Sequence, residues 1–197
     1  AVVVGAGLGG QVAWARRHVA PDLTTAIIPV GAPHPLALRS LRARALSGPA
    51  LQYVSLRIPG LAERRLRSRS ALEGLLRSWA GPHTREAVAE EAPYYAELLS
   101  RPGAGHSDLE PMCNLVLYRV ETAALDKPVT VPVLSMQGEL DPVQPAQAYA
   151  RDTHHVTGDL RQATIRRSGH FPQEETPAGF VRALLPVLAD VAPPASA

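Results

Sequence analysis

The 197-residue sequence predicts an α/β protein, a parallel sheet whose run of strands is interrupted by a long helical insertion. Three observations predict it. Four short, mostly apolar runs, "AVVV", "LTTAIIPV", "VTVPVLSMQ" and "QATIRRSG", have the texture of sheet strands, the first of them a buried parallel strand. The first two are joined by a Gly-rich turn and one helix, which makes a βαβ unit with a right-handed crossover. Between the second and third runs lie about ninety residues with helical periodicity alone.

Taken in order, "AVVV" opens the chain and "GAGLGG" turns it. "QVAWARRHVA" then reads as a helix, with Val12, Ala15 and Val19 on one apolar face and Arg16 and Arg17 off it. "LTTAIIPV" is the second strand, in which Pro29 is a local conflict because it has no amide for the ladder. "GAPHP" ends the unit. The next stretch is helical and Arg-rich, punctuated at "IPG", "GPH" and "RPGAGH". "VTVPVLSMQGE" returns to strand texture and ends in a turn at "GELDPV"; "AQAYARDTHHV" is a helix, and "QATIRRSG" is a strand followed by a loop at "HFPQEE". "TPAGFVRALLPVLADV" is the last helix, with Thr176 as N-cap and Pro177 at its first position. The implied division is 1–33 and 129–192 for the two parts of the core, 34–128 for a helical cap, and 193–197 for a disordered tail.

Composition bounds the function. Hydrophobic residues make up 46% and charged residues 19%, a globular balance. A net charge of +2 speaks against a dedicated nucleic-acid partner. No apolar run reaches membrane-spanning length, and no signal peptide is visible, so no membrane partner is expected. The single cysteine, Cys113, excludes an internal disulfide and a Cys-based metal site, which makes a cytoplasmic location the expectation. The chain begins with Ala inside a strand, so upstream sequence is expected to be missing and the chain to be truncated.

The opening turn admits two chemistries. Gly5, Gly7 and Gly10 fit a dinucleotide-binding pattern, in which backbone amides at a helix N-terminus approach a pyrophosphate. That pattern calls for an acidic residue at the end of the second strand, and "IIPVGAPHP" carries none. The other chemistry is nucleophilic. Asp141 in "QGELDPVQP" and His170 in "RSGHFPQEE" each follow a strand, so both reach one edge of a parallel sheet. There a carboxylate can fix the tautomer of an imidazole and leave its second nitrogen as a base.

At "VVVGAGLGG", "GAPHP", "IPGLAERRL", "LYR", "VPVLSMQGELDPV" and "SGHFPQEE" the sequence resembles the α/β-hydrolase superfamily, in its epoxide-hydrolase-like branch. The resemblance runs from Val2 to about Asp190. It implies an α/β-hydrolase fold that is partial, with the last four parallel strands and a helical cap, and an exposed apolar edge at "AVVV". It implies that Asp141 orients His170 and that His170 activates the water that hydrolyses a covalent intermediate. It places an oxyanion donor at the Leu8 amide. It assigns Tyr118, in "LYR", to polarising an epoxide oxygen. Tyr53 lies near the position of a second such tyrosine, with ordinary packing as the competing reading. The expected partner is a small apolar substrate such as an epoxide or ester, with a homodimer as candidate assembly and no cofactor or metal.

The turn departs from the family pattern. The nucleophile position, an acid or a serine in that pattern, falls on Gly7, between Ala6 and Leu8. Loss of the nucleophile of a covalent hydrolase costs about 10⁶-fold in turnover, on the order of 8 kcal/mol of barrier. The expectation is an impaired hydrolase, with a non-catalytic small-molecule-binding relic as the alternative and a nucleotide-binding module using the Gly5–Gly10 turn behind it. The bland readings elsewhere are a surface position for His154 and His155, packing at the cap hinge for His34, a buried small hydrophobe at Cys113, and a solvated face for the arginines from Arg39 to Arg77.

Overall fold

The computed structural model describes residues 1–38, 66, 68–101, 125–144 and 146–191. Tyr53, Cys113 and Tyr118 lie outside the described residues. The strands are β1 (Val2–Ala6), β2 (Ala26–Val30), β3 (Val133–Gly138) and β4 (Leu160–Ile165). They form one four-stranded sheet in the order β1-β2-β3-β4, parallel throughout. The described helices are α1 (Leu8–Val19), α2 (Arg69–Trp79), α3 (Arg85–Glu90), α4 (Ala92–Ser100), α5 (Ala146–Ala150), α6 (Pro172–Glu175) and α7 (Pro177–Val191). None of them is long and apolar enough to cross a membrane.

Alternation along the strands builds two cores. Ile27 and Val133 pack under α1 with Ala13 and Trp14. Ile28, Val30, Leu134 and Met136 point the other way, against Val187, Phe180 and Leu184 of α7. β2 is buried along its whole length because helices cover both of its faces. Full burial of an aliphatic side chain stabilises by about 1.5–3 kcal/mol, so this sheet centre outweighs one missing bond at Pro29. The β2–β3 ladder closes around that gap, with Ile27 N–H donating to Pro132 at 3.1 Å and Gly31 N–H to Met136 at 2.9 Å.

The face chosen for α1 is a correction. Val12 and Val19 are 54% and 77% exposed, while Ala13 and Trp14 are fully buried. Polar anchoring sets the rotation of the helix. Trp14 Nε1 donates to Ala32 O at 2.9 Å, and Gln11 Nε2 donates to Pro33 O at 3.0 Å. These bonds pin α1 to the segment after β2. Val4 on the edge strand β1 is 47% exposed, so the apolar edge expected from the sequence is present.

Two other boundaries differ from the sequence pattern. The helix expected over "AQAYARDTHHV" gives way after Ala150 to a 3₁₀ turn at Arg151–His154. The loop expected at "HFPQEE" contains α6. In the helical block, Leu72, Leu76, Ala80, Val88 and Ala92 form a core of their own. Trp79, Val143 and Phe171 join that block to the sheet's carboxyl edge.

Candidate active site

The site lies where β1, β3 and β4 end. After β3 the chain turns at Leu140, whose N–H donates to Ser168 O at 2.8 Å. This bond ties the β3 turn to the β4 turn. Asp141 then serves two purposes. Its Oδ1 accepts from the backbone of Val143 at 2.8 Å and Gln144 at 3.0 Å, closing an Asx turn. Its Oδ2 lies 3.0 Å from His170 Nδ1. The side chains of Asp141 and His170 are 1% and 4% exposed. A carboxylate can only accept, so Nδ1 carries the proton and Nε2 keeps its lone pair.

His170 is held by its backbone and by its ring. Arg167 takes a left-handed conformation, φ 62°, and its N–H donates to Glu139 Oε2 at 2.9 Å. The chain thereby doubles back, and His170 N–H donates to Trp79 O at 2.9 Å. The Trp79 indole meets the imidazole edge-on, with centroids 5.3 Å apart. Glycines make the close approach possible. A Cβ on Gly138 would lie 1.8 Å from Gly169 O, and one on Gly169 would lie 2.3 Å from Gly81 N. No other residue fits at either place without backbone movement.

Gly7 occupies a sharp strand-to-helix turn with φ 53° and ψ −114°. Side chains rarely adopt that backbone, and a nucleophile presented there is held under strain. The turn stands beside the histidine. Gly7 N–H donates to Val30 O at 2.8 Å, and a Cβ on the next residue, Gly31, would lie 3.5 Å from His170 Cε1. Among the described residues, a Cβ built on Gly7 itself meets nothing within 4 Å, and the glycine bears no reactive atom. Leu8 is the first residue of α1, where a helix's backbone amides have no intrahelical acceptor. The neighbouring glycines have a packing reason. A Cβ on Gly5 would lie 2.2 Å from Gly9 O, and one on Gly10 would lie 2.5 Å from the Ala32 side chain. These approaches account for both positions without a bound phosphate.

Two buried carboxylates went unread in the sequence. Asp152 is fully buried in the 3₁₀ turn, accepting from His34 N–H at 2.8 Å and Ser135 Oγ–H at 2.7 Å. Burial pushes its carboxyl up to about 7, against the opposing pull of those two hydrogen bonds. His34 is packed as expected, fully buried and edge-on to Trp14. It also stacks on His155 at 4.0 Å, so His155 is half-buried while His154 stays exposed. Burial, with His155 and His18 nearby, pulls the His34 imidazole down to about 3. Glu175 is the second buried carboxylate, five residues beyond His170. The available signal was an acid close behind a candidate histidine and followed by Thr-Pro.

A separate cavity of about 540 Å³ lies between α3, α4 and α6, lined by Thr84, Val88, Glu91, Tyr95 and Glu174 among others. It does not include Gly7, Asp141 or His170.

An acid–histidine pair at the ends of β3 and β4, beside a strained turn at the end of β1, is the arrangement expected of a nucleophilic hydrolase. A model of the alpha/beta hydrolase family matches residues 1–183. The chain belongs to the alpha/beta hydrolase family. Among solved structures, a Salmonella enterica protein provisionally described as an acyltransferase superimposes with a TM-score of 0.80 at 18% identity, over 97% of this chain and 64% of that one. A point mutant of the meta-cleavage product hydrolase CumD of Pseudomonas fluorescens IP01, complexed with acetates, gives 0.67 at 18%, over 98% of this chain and 65% of that one. A thermophilic esterase gives 0.65 at 23%, over 98% and 67%. At these identities the likeness establishes the fold, and the chain spans about two thirds of each relative's length. No curated protein matches it.

Proposed function

We propose that this chain is a hydrolase-fold protein built for small apolar esters or epoxides, with the acid–histidine pair retained and the covalent step disabled at Gly7. The observation that carries the reading is the buried Asp141–His170 bond of 3.0 Å beside an elbow that has its strained geometry and no side chain. Family members named as an esterase and a meta-cleavage product hydrolase support hydrolysis as the reaction type.

With a carboxylate at position 7, that oxygen would attack an epoxide carbon, the C–O bond of the ring would break, the ring oxygen would take a proton from Tyr118 or Tyr53, and an ester to the protein would form. With a hydroxyl there, the oxygen would attack a carbonyl, lose its proton to His170 and expel the alcohol, which takes that proton. In both cases His170 Nε2 then takes a proton from water as the hydroxide attacks the ester carbonyl. The ester C–O bond breaks, and the departing oxygen, of the serine in one case and of the diol in the other, takes that proton back from the imidazolium. Asp141 stabilises the imidazolium through Nδ1–H. With Gly7 only direct attack by an activated water remains, at a barrier on the order of 8 kcal/mol higher. Epoxide chemistry further depends on Tyr118 and Tyr53 as hydrogen-bond donors to the ring oxygen.

The test is to assay the parent chain, Gly7→Asp and Gly7→Ser on styrene oxide and on p-nitrophenyl acetate. Gain of epoxide opening in Gly7→Asp, or of ester cleavage in Gly7→Ser, supports a disabled hydrolase and chooses the branch. No gain in either folded variant favours a binding protein that uses the open space at Gly7. Turnover by the parent chain at covalent-hydrolase rates would overturn the reading of impairment.

A further inference from the structure

We propose that Glu175 is a positioning residue for His170, and that it couples the histidine to the docking of the helical block. The inference rests on His170 being the site's base. The Glu175 carboxylate is 9% exposed and accepts four hydrogen bonds. Oε2 receives Gly81 N–H at 2.7 Å, Thr84 Oγ–H at 2.6 Å and Gly169 N–H at 2.9 Å. Oε1 receives Phe171 N–H at 2.9 Å.

The donors fall into two groups. Gly169 and Phe171 flank His170 on either side, so the carboxylate bridges the N–H groups of the residues before and after the histidine. Gly81 and Thr84 belong to the turn between α2 and α3, in the helical block. The histidine's remaining backbone donor also goes to that block, at Trp79 O. The junction therefore consists of backbone laid on backbone at Gly81 and Gly169, where no side chain can intervene, sealed by one buried anion. Hydrogen bonds to a charged acceptor are among the stronger ones in proteins, and removing the anion would leave several buried donors unpaired. The Asp141 bond reaches neither Gly169 nor Phe171, and the Trp79 ring, stacked on the Phe171 ring with centroids 6.3 Å apart, does not bind either backbone N–H. Without Glu175 the N–H groups of Gly169 and Phe171 lose their shared acceptor, the His170–Trp79 backbone bond is left to tie the histidine's backbone to the helical block, and the Nδ1–Oδ2 bond loosens.

The readout is the His170 Nδ1–H proton, observed by NMR in the full chain labelled with ¹⁵N-histidine. It needs no turnover, so it stays informative if the Gly7 variants are inactive. The parent chain is expected to show this proton downfield and slow to exchange. Glu175→Gln, which has one acceptor oxygen for donors on two sides, is expected to speed exchange about tenfold or more. Thr84→Val removes one of the four bonds and should shift exchange in the same direction by less; it carries the test if Glu175→Gln fails to fold. Val187→Ala, a core truncation under α7, should lower stability and leave the proton unchanged. The proposal is overturned if Glu175→Gln lowers Tm without changing exchange, if Val187→Ala speeds exchange equally, or if the parent chain shows no protected proton.

Discussion

At the carboxyl ends of β3 and β4, the backbone around His170 is tied down on both sides and its ring is bonded to Asp141. Two strands away on the same sheet edge, the turn after β1 keeps the strained geometry of an elbow and presents only a hydrogen atom at Gly7. The same contrast runs down the sheet. β3 is paired on both sides and mostly buried, whereas β1 is an edge with Val4 exposed beside Val12 and Val19 of α1. The base half of the site thus rests on packing that the fold itself needs. At Gly7, by contrast, a Cβ would meet no described residue within 4 Å.

The largest test of this contrast is catalytic. In a Gly7→Ser chain that has gained ester cleavage, His170→Ala should return turnover to the parent level, a fall of up to about 10⁶-fold, because nucleophile and base act as a unit. Stopped assays with p-nitrophenyl acetate would show it. Retention of most of the gained rate would mean that the two halves work independently. The same Gly7→Ser change should lower stability by about 1–3 kcal/mol, the cost of a side chain at φ 53°.

Next in size is packing. Gly138→Ala places a Cβ 1.8 Å from Gly169 O and should cost more than about 3 kcal/mol in urea denaturation. A smaller loss would show that the β3–β4 junction can give, against the rigidity inferred for the base half.

The pair between the two regions is titratable. Asp152 holds its proton up to about 7 when folded, and an unfolded aspartate releases it near 3.8. Within that window the folded state binds the extra proton, so stability from Asp152 falls as pH rises. His34 runs the other way. It is protonated near 6.5 when unfolded and only near 3 when folded, so its contribution rises with pH. From about pH 4 to 6.5 the two slopes, each about 1.4 kcal/mol per pH unit at most, oppose each other. Asp152→Asn should unmask stability that climbs with pH, and His34→Phe stability that declines. Urea midpoints between pH 4 and 7 would read both, and parallel slopes in the two variants would refute the pairing.

The smallest effect concerns the apolar face beside β1. Val12→Ser and Val19→Ser should change stability by no more than about 0.5 kcal/mol, since both side chains are already in solvent. A loss several times larger would show that this face is covered in solution.

Much of the site was legible before any coordinates. Asp141 and His170 could be read because each follows an apolar run, and in a parallel sheet consecutive strand ends share an edge. The strand-to-helix turn at Gly7 could be read because turn spacing is local. The helix face was misread at α1. Val12 and Val19 look like core by hydrophobicity, but Trp14 and Gln11 set the rotation through bonds to Ala32 and Pro33, nearly twenty residues or more away. Pro29 reads as a local conflict in the second strand because its missing amide is local, while the burial that outweighs it comes from both neighbouring helices.

The sequence by itself determined the four strands, the Gly-rich turn after β1, and the placing of Asp141 and His170 at one edge of the sheet. These follow from periodicity and from residue type, which act over a few positions. Only the tertiary structure decided what Asp152 and Glu175 do. Each is an acid in an unremarked polar stretch, and its partners come from segments far apart in the chain, His34 and Ser135 for one, Gly81 and Thr84 for the other. A buried charge takes its meaning from the donors that folding brings to it, and no local pattern specifies those.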